Sequence, residues 1–236
     1  MKKQPFTMIV MATTAFILSC ENHQQTTENP FLSAYDTPFG VPPFDRINES
    51  HFRPALEAGM TRHAEEVAAI ATNPEPPTFD NTIVALEASG ELLSTVNIVL
   101  NNLNSAHTSD SIQAIVKDMA PRLSAHQDQI RMNPQLFARV KTLWDNRDSL
   151  GLTEEQAQLL ENTYKSFVRG GANLTDEDKA RLQQINQELA VLTVLFNQNL
   201  LAETNAYELV IDNTDDLAGL QPEQVAAAAE TAKERG

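Results

Sequence analysis

The chain has 236 residues, with 17 lysines and arginines against 32 aspartates and glutamates, so its formal net charge is −15. This balance argues against a nucleic-acid partner, because binding to phosphates draws on clustered basic side chains. Hydrophobic residues make up 42% of the chain and glycines number only 8, which favours a folded and mostly helical protein. The single cysteine excludes a disulfide within the chain.

The N-terminus has the pattern of a secretory signal. Lys2 and Lys3 precede an apolar run over residues 6–18, which is too short to span a bilayer. The residues that follow, up to Ser19 and Cys20, resemble the bacterial lipobox. We therefore predict a signal peptide over residues 1–19, cleavage between Ser19 and Cys20, and lipid modification of Cys20. The alternative is a secreted protein that is cleaved nearby, in which Cys20 is incidental.

Cleavage at this point removes two lysines and no acid, which takes the net charge from −15 to −17. Such a body is repelled by anionic lipid, so the anchor must be the acyl chains, at about 0.8 kcal/mol per buried methylene. Residues 20–30 are expected to be the lipidated cysteine and a polar tether, with His23 solvated. The predicted location is the bacterial cell envelope, in the periplasm or the outer membrane. Glu21 is not the aspartate that resembles an inner-membrane retention signal, which favours the outer membrane.

Residues 29–45 contain four prolines, which exclude a helix and predict an extended arm. We expect Phe31, Phe39 and Phe44 to dock on the body. Beyond the arm, apolar residues recur at spacings of three and four, the period of an amphipathic helix. With caps, prolines and glycines as boundaries, they predict long helices over 49–71, 79–106, 109–132, 134–150, 153–169 and 175–203.

Two residues interrupt these helical patterns. Gly90 weakens the second helix by about 1 kcal/mol relative to alanine or marks a close crossing. Pro121 is expected to kink the third helix. Gly151 is expected to close the fourth.

Near the C-terminus, residues 206–211 (AYELVI) predict one short strand, and Pro222 opens a final helix over 222–235. The predicted fold is all-α, an antiparallel array of about six long helices with one unpaired strand, over residues 31–236. A lone strand leaves backbone groups without a neighbour. This strand and the alanine-rich final helix suggest that the chain ends before its fold does.

No metal site is evident among the histidines of the body. The nearest approach to the zinc-protease pattern His-Glu-x-x-His begins at His63, but Val67 occupies the place of the second ligand. The pattern Glu-x-x-His of di-metal bundles is also missing. We therefore interpret His51, His63, His107 and His126 as solvated or capping residues, and the sequence indicates no metal ligand.

Other candidate catalytic groups are equally sparse. The only cysteine lies in the lipobox, and the sequence holds no Gly-x-Ser-x-Gly and no glycine-rich phosphate loop. The acidic clusters 176–178 and 215–216 are interpreted as helix caps in preference to calcium ligands. Arg169, just before two glycines, is either a charge at the C-terminal end of a helix or a cleft residue. No catalytic residue is assigned.

Several long sequence words carry a family resemblance, in consistent order along residues 29–236. These words are TPFGVPPFDRI (37–47), HFRPALEAGM (51–60), PTFDNTIVALEASGELL (77–93), APRLSAH (120–126), LLENTYKSFVRGGANL (159–174) and FNQNLLAETNAYEL (196–209). They resemble the N-terminal helical region of the bacterial dipeptidyl carboxypeptidases, members of the thimet oligopeptidase and neurolysin family of zinc metallopeptidases.

The resemblance implies a longer, mostly helical enzyme with two halves facing a channel, which admits short peptides and removes dipeptides from their C-termini. It implies zinc held by a His-Glu-x-x-His helix and a more distant glutamate. No residue of this sequence matches those ligands, so the chain alone is expected to be inactive and to correspond to part of the channel wall. The alternative is a non-catalytic helical lipoprotein that binds peptides or a partner protein.

Overall fold

The computed structural model describes residues 29–235, so the predicted signal peptide, Cys20 and His23 lie outside the described residues. The described part is helical and contains no strand, which confirms the all-α prediction. The helices are α1 (Glu49–Ala71), α2 (Ala85–Glu87), α3 (Glu91–Ala106), α4 (Asp110–Arg131), α5 (Pro134–Asp145), α6 (Glu154–Arg169), α7 (Asp176–Ala206) and α8 (Pro222–Arg235).

Local capping residues fix where these helices begin. Asn133 precedes α5 and accepts hydrogen bonds from two backbone amides of its first turn. Thr153 and Gln156 form the predicted capping box of α6, in which each side chain accepts from the other residue's backbone N–H. Thr175 likewise caps α7 by accepting from the backbone of Asp178. These caps satisfy amides that have no partner inside the helix.

The predicted single helix over 79–106 is wrong in detail, because the structure breaks it. A π-helical segment, Phe79–Val84, continues into α2, and α3 begins only after Gly90. Gly90 has a φ of 75°, which is the left-handed region, and a Cβ there would lie 2.9 Å from Nδ1 of His63. Of the two alternatives for Gly90, the close crossing is therefore confirmed, and the same residue is the N-cap of α3.

By length and composition alone, the stretch Phe79–Ala106 could cross a membrane, as judged on the described residues. Helices that form a protein's own core pass the same test. This stretch supplies Ile83, Val96 and Leu100 to the buried core. About a third of this apolar stretch is buried within the chain, 33% of its most apolar window.

Buried side chains form two hydrophobic clusters along α1. The first joins the arm to α1, α3 and α4, and its members are Phe31, Phe52, Ala55, Leu56, Val96, Val99, Leu100, Ile112, Ile115 and Met119. The second joins the end of α1 to the π-helical segment, α4, α5 and α6, and its members are Val67, Ile70, Ile83, Ile130, Leu136, Phe137, Val140, Leu143, Leu160 and Phe167. Helix α1 therefore contributes to both clusters.

Hydrogen bonds and close contacts between helices show their relative directions. Gly59 and His63 of α1 lie beside Leu93 and Gly90, so α3 runs opposite to α1. On α4, Asp128 and Gln113 are hydrogen-bonded to Asn186 and Gln198 of α7, so these two helices are also antiparallel.

Helices α1 and α4 depart from the predicted antiparallel arrangement. Arg53 and Glu57 of α1 form ion pairs with Asp118 and Arg122 of α4, in the same order along both helices. The two helices therefore run parallel, with the antiparallel α3 between them in the chain.

The arm only partly follows its prediction. Phe31 is buried and its ring centroid lies 5.3 Å from that of Phe52. The side chain of Asn29 donates to the backbone carbonyl of His51 and holds the start of the arm against α1. Phe39 and Phe44, however, are exposed, so their predicted docking is wrong for the described residues.

Two predictions near turns are also wrong. The strand predicted over 206–211 does not form: Ala206 is the last residue of α7, and residues 207–213 are irregular. The described residues contain no strand that could pair with this segment. Gly151 does not close α5, which ends at Asp145 and is followed by a short 3-10 turn over Arg147–Ser149. Gly151, with a φ of 64°, instead reverses the chain just before the cap of α6.

Helix α7 has the apolar stripe that its sequence predicts, but the stripe is not buried. Leu189, Leu192 and Phe196 are exposed, whereas Leu182 and Ile185 are half-buried against the rest of the chain. The side chains described in α7 include none that is fully buried. The apolar periodicity therefore predicted the helix correctly, but it did not predict that much of the apolar stripe is exposed.

Candidate functional site

A polar pocket of about 410 Å³ lies between α4, α6 and α7. Its wall contains three basic side chains, one carboxylate, two amides and one hydroxyl, with a single large apolar residue. The lining residues are Asp128, Arg131, Asn162, Lys165, Ser166, Arg169, Gly170, Leu182 and Asn186. We call this the polar pocket.

Asp128 is the most unusual residue of the polar pocket, since it is only 3% exposed. Its Oδ1 accepts a hydrogen bond of 2.8 Å from Nδ2 of Asn186, whereas Oδ2 has no partner among the described residues. Burial raises the pKa of the Asp128 carboxyl, and the hydrogen bond from Asn186 and the charge of Arg131 oppose that rise. A buried carboxylate oxygen without a donor is costly.

The basic side chains come from two neighbouring helices. Nε of Arg131 is buried without a hydrogen-bond partner within residues 29–235. Its stem lies against Gly170, where a Cβ would come within 2.7 Å of Cδ of Arg131. Arg169 lies in the last turn of α6 and lines the pocket, so both readings of this residue hold. Lys165 pairs with Glu161 on the same helix.

A second feature is a pair of histidines that joins α1 to α4. Nε2 of His126 lies 3.0 Å from Nδ1 of His63, and the ring centroids are 5.0 Å apart. Burial lowers the pKa of both histidines; for His63 the nearby charge of Glu66 opposes this, and for His126 the charge of His63 adds to it. The pair is therefore held in its neutral form.

Hydrogen bonding around the pair fixes the roles of the ring nitrogens. The hydroxyl of Ser89 donates to the backbone carbonyl of Leu86 at 2.7 Å, so at Ser89 it is Nε2 of His63 that donates, over 3.3 Å. Nδ1 of His63 is then the acceptor for Nε2–H of His126. Ser89 is not activated as a nucleophile in this arrangement, because its proton is not directed at the imidazole. The pair connects helices.

The described residues do not fit a catalytic zinc ion. Such a site needs three protein ligands with an open position for water. Within residues 29–235 no group of three or more His, Cys, Asp or Glu side chains is arranged to hold a metal, and the pair of His63 and His126 supplies only two nitrogens.

The other predicted site residues have local roles. His51 belongs to the capping box of α1, as predicted, and His107 is the exposed C-cap of α3. The acidic cluster 176–178 lies in the first turn of α7, and Asp215 and Asp216 lie in a 3-10 turn capped by Asn213. Their interpretation as capping residues is thereby supported.

The interpretation of His63 and His126 as solvated or capping residues is wrong, because the fold brings them together. A signal was present in the sequence, since each histidine occupies a position on its helix's apolar stripe. His126 lies between Leu123 and Ile130 at the helical spacing, and His63 lies four residues before Val67. Asp128 and Asn186 offered no such signal, because each is a polar residue within a helical pattern and they meet only when α4 and α7 pack together.

No family model matches the chain. Dipeptidyl carboxypeptidase of Escherichia coli (strain K12) is 44% identical over 211 residues, which cover 89% of this chain and 31% of that protein. The protein of the same name from Salmonella typhimurium (strain LT2) is 43% identical over 208 residues, with 88% and 31% covered. Organellar oligopeptidase A of Arabidopsis thaliana is 26% identical over 218 residues, with 92% and 27% covered.

The chain thus spans about a third of the length of the curated relatives it matches. Identity at this level over nearly all of the described residues leaves no room for chance similarity. Along most of its length, the chain is homologous to a part of the bacterial dipeptidyl carboxypeptidases and, more distantly, of the oligopeptidases A.

Proposed function

We propose that this chain is the N-terminal, channel-wall portion of a lipid-anchored zinc metallopeptidase that removes C-terminal dipeptides from short peptides. The observation that carries the proposal is the 44% identity with a dipeptidyl carboxypeptidase over 89% of the chain. The sequence words that resemble this family extend through α1, α4, α6 and α7, so the likeness is not confined to one motif.

The exposed stripe of α7 supports an arrangement in which further protein covers this helix. Leu192 is 59% exposed and Phe196 is 67% exposed, and both lie on the same face as Leu189 and Leu200. Apolar rows of this kind mark a surface that packs against another element. In the proposed enzyme, that element belongs to the portion of the relatives' length that this chain does not span.

The proposed zinc site and general base belong to the same further portion. Zinc in a peptidase activates a water molecule and polarises the scissile carbonyl when it is bound. The residues of this chain would contribute helices that shape one side of the channel and exclude folded substrates by size. The 236-residue chain by itself is expected to show no peptidase activity.

The lipid anchor at Cys20 is part of the proposal and is supported by the lipobox resemblance alone. Substituting Cys20 with alanine is expected to move the protein from the membrane fraction to the soluble fraction and to abolish labelling by a fatty-acid analogue. A matched Ser33→Ala variant in the arm keeps both properties. Equal membrane retention of the two variants would contradict lipidation at Cys20.

The enzymatic part is tested on the gene and on its product. Reading the genomic frame beyond codon 236 is expected to reveal His-Glu-x-x-His, and the complete product is expected to release a dipeptide from a blocked tripeptide in a chelator-sensitive way. An intact stop codon without that motif would favour the non-catalytic lipoprotein. Release of the dipeptide by the purified 236-residue chain would refute its predicted inactivity.

A further inference from the structure

The polar pocket has a charge that contrasts with the rest of the protein. The whole chain carries −15, yet three basic side chains and only one carboxylate line the pocket. Arg131 and Arg169 form no ion pair within residues 29–235. Eight other basic residues there do so, namely Arg46, Arg53, Arg62, Arg122, Lys141, Arg147, Lys165 and Lys233. Two unpaired guanidinium groups that face one cavity favour an anionic ligand.

Two buried polar atoms of the pocket wall favour a polar ligand at this site. Oδ2 of Asp128 and Nε of Arg131 are both buried and unpaired in the described part of the chain. Native proteins leave few such atoms unsatisfied, and each calls for an explanation such as a ligand or water. The oxygen of Asp128 requires a hydrogen-bond donor, and the guanidinium of Arg131 requires an acceptor. A ligand that pairs with both residues must therefore carry a donor and an acceptor.

The other side chains of the pocket wall can form hydrogen bonds with the backbone of a short peptide. Asn162, Ser166 and Asn186 offer amide and hydroxyl groups that can donate to a carbonyl or accept from an amide N–H. Leu182 is the only large apolar side chain, so the pocket has little to offer a hydrophobic ligand. A volume of about 410 Å³ lies in the range of small-molecule sites, roughly 300–1,000 Å³.

We propose that the polar pocket binds a free dipeptide as a zwitterion, with its carboxylate on Arg131 and Arg169 and its ammonium group on Asp128. The peptide bond then lies against the amides and the hydroxyl of the wall. The site is formed by α4, α6 with its C-cap Gly170, and α7, and it contains none of the proposed catalytic groups. It therefore does not depend on the proposed peptidase activity.

The first test uses ligands alone and requires no variant. The purified chain is titrated by calorimetry with alanyl-alanine, with its N-acetylated form, with its C-terminal amide and with inorganic phosphate. We expect saturable binding of the free dipeptide and about tenfold weaker binding when either end is capped, since each cap removes one charge-assisted hydrogen bond. Absent binding of the free dipeptide, or phosphate binding that is as tight, would overturn the proposal.

The second test assigns the two ends of the ligand to residues. Arg169→Gln is expected to weaken binding of the free dipeptide about tenfold, and Asp128→Asn is expected to do the same. Asp128→Asn should leave the binding of the N-acetylated dipeptide unchanged, which a merely structural role would not predict. Arg181→Gln removes the same charge one residue before Leu182, outside the pocket lining, and serves as the matched control. Equal effects of Arg169→Gln and Arg181→Gln would refute the assignment.

Discussion

Two regions of the chain have similar helical patterns and opposite degrees of burial. The packed region, residues 29–171, contains both hydrophobic clusters. The C-terminal region, residues 176–235, contains α7 and α8 and no fully buried side chain among those described. Both regions show apolar residues at helical spacing, so the pattern specifies a helix and a face. Whether that face is buried depends on which elements lie next to it.

The largest expected contrast between the regions is in side-chain truncation. Leu56 of α1 is 0% exposed, and Leu56→Ala is expected to lower the free energy of unfolding by about 2–5 kcal/mol, through lost burial and the cavity left behind. Leu192→Ala in α7 is expected to change it by no more than about 0.5 kcal/mol. Urea unfolding followed by circular dichroism measures the free energy of unfolding of both variants. Equal losses of stability would contradict the proposed difference in burial between the two regions.

Glycines at positive φ provide the next contrast. Gly90→Ala is expected to cost about 2–3 kcal/mol, because the left-handed conformation is strained and the new Cβ meets the ring of His63. Gly219 in the C-terminal region has a φ of 96° with nothing within 4 Å of a Cβ, so Gly219→Ala should cost only about 1 kcal/mol. Thermal unfolding of the two variants compares strain with and without a packing clash.

The histidine pair makes the packed region sensitive to acid. Burial lowers the pKa of His63 and His126 below the value of about 6.5 expected in the unfolded chain. The unfolded state therefore takes up protons first, and stability is expected to fall as the pH decreases below about 6.5. This change in stability should be smaller than the losses expected for Leu56→Ala and Gly90→Ala.

The matched variants for this pH dependence are His126→Gln and His107→Gln. The first removes one member of the pair and should flatten the loss of stability on acidification. The second alters an exposed C-cap of α3 and should leave the pH profile unchanged. Unfolding midpoints measured from pH 7 to about pH 5 provide the test. Parallel profiles for wild type and His126→Gln would show that the pair does not control acid sensitivity.

The smallest change in stability is expected on the exposed stripe of α7. Replacing Leu192 and Phe196 with glutamine should alter the free energy of unfolding by about 0.5 kcal/mol or less for each residue, while lowering self-association of the purified chain. Asn199→Gln, an exposed polar substitution on the same helix, is the control. Sedimentation velocity measures self-association. An unchanged association state would show that the exposed stripe of α7 does not mediate it.

Much of the fold follows from local sequence signals. Asn133, Thr153 and Thr175 begin their helices as predicted, because capping involves only residues two or three positions apart. The strand over 206–211 was wrong for the opposite reason, since a strand needs a neighbour that the local sequence cannot reveal. Phe31 docks and Phe39 does not, although both lie between prolines in the same arm.

The candidate sites were less predictable than the helices. Arg169 was identified as a possible cleft residue from its place before two glycines, and it does line the polar pocket. Asp128 and Asn186 meet across α4 and α7, and the histidine pair joins α1 to α4 over 63 residues of chain. Such contacts arise only when helices distant in sequence pack side by side.

The amino-acid sequence by itself determined the helices, most of their caps and the relationship to the dipeptidyl carboxypeptidases, because all three are encoded in the order of residues along the chain. Only the tertiary structure decided which apolar faces are buried, how α1 and α4 are aligned, and which charges face the polar pocket. The physical reason is that burial and electrostatics depend on neighbours in space, and the period of a helix specifies a face without specifying what covers it.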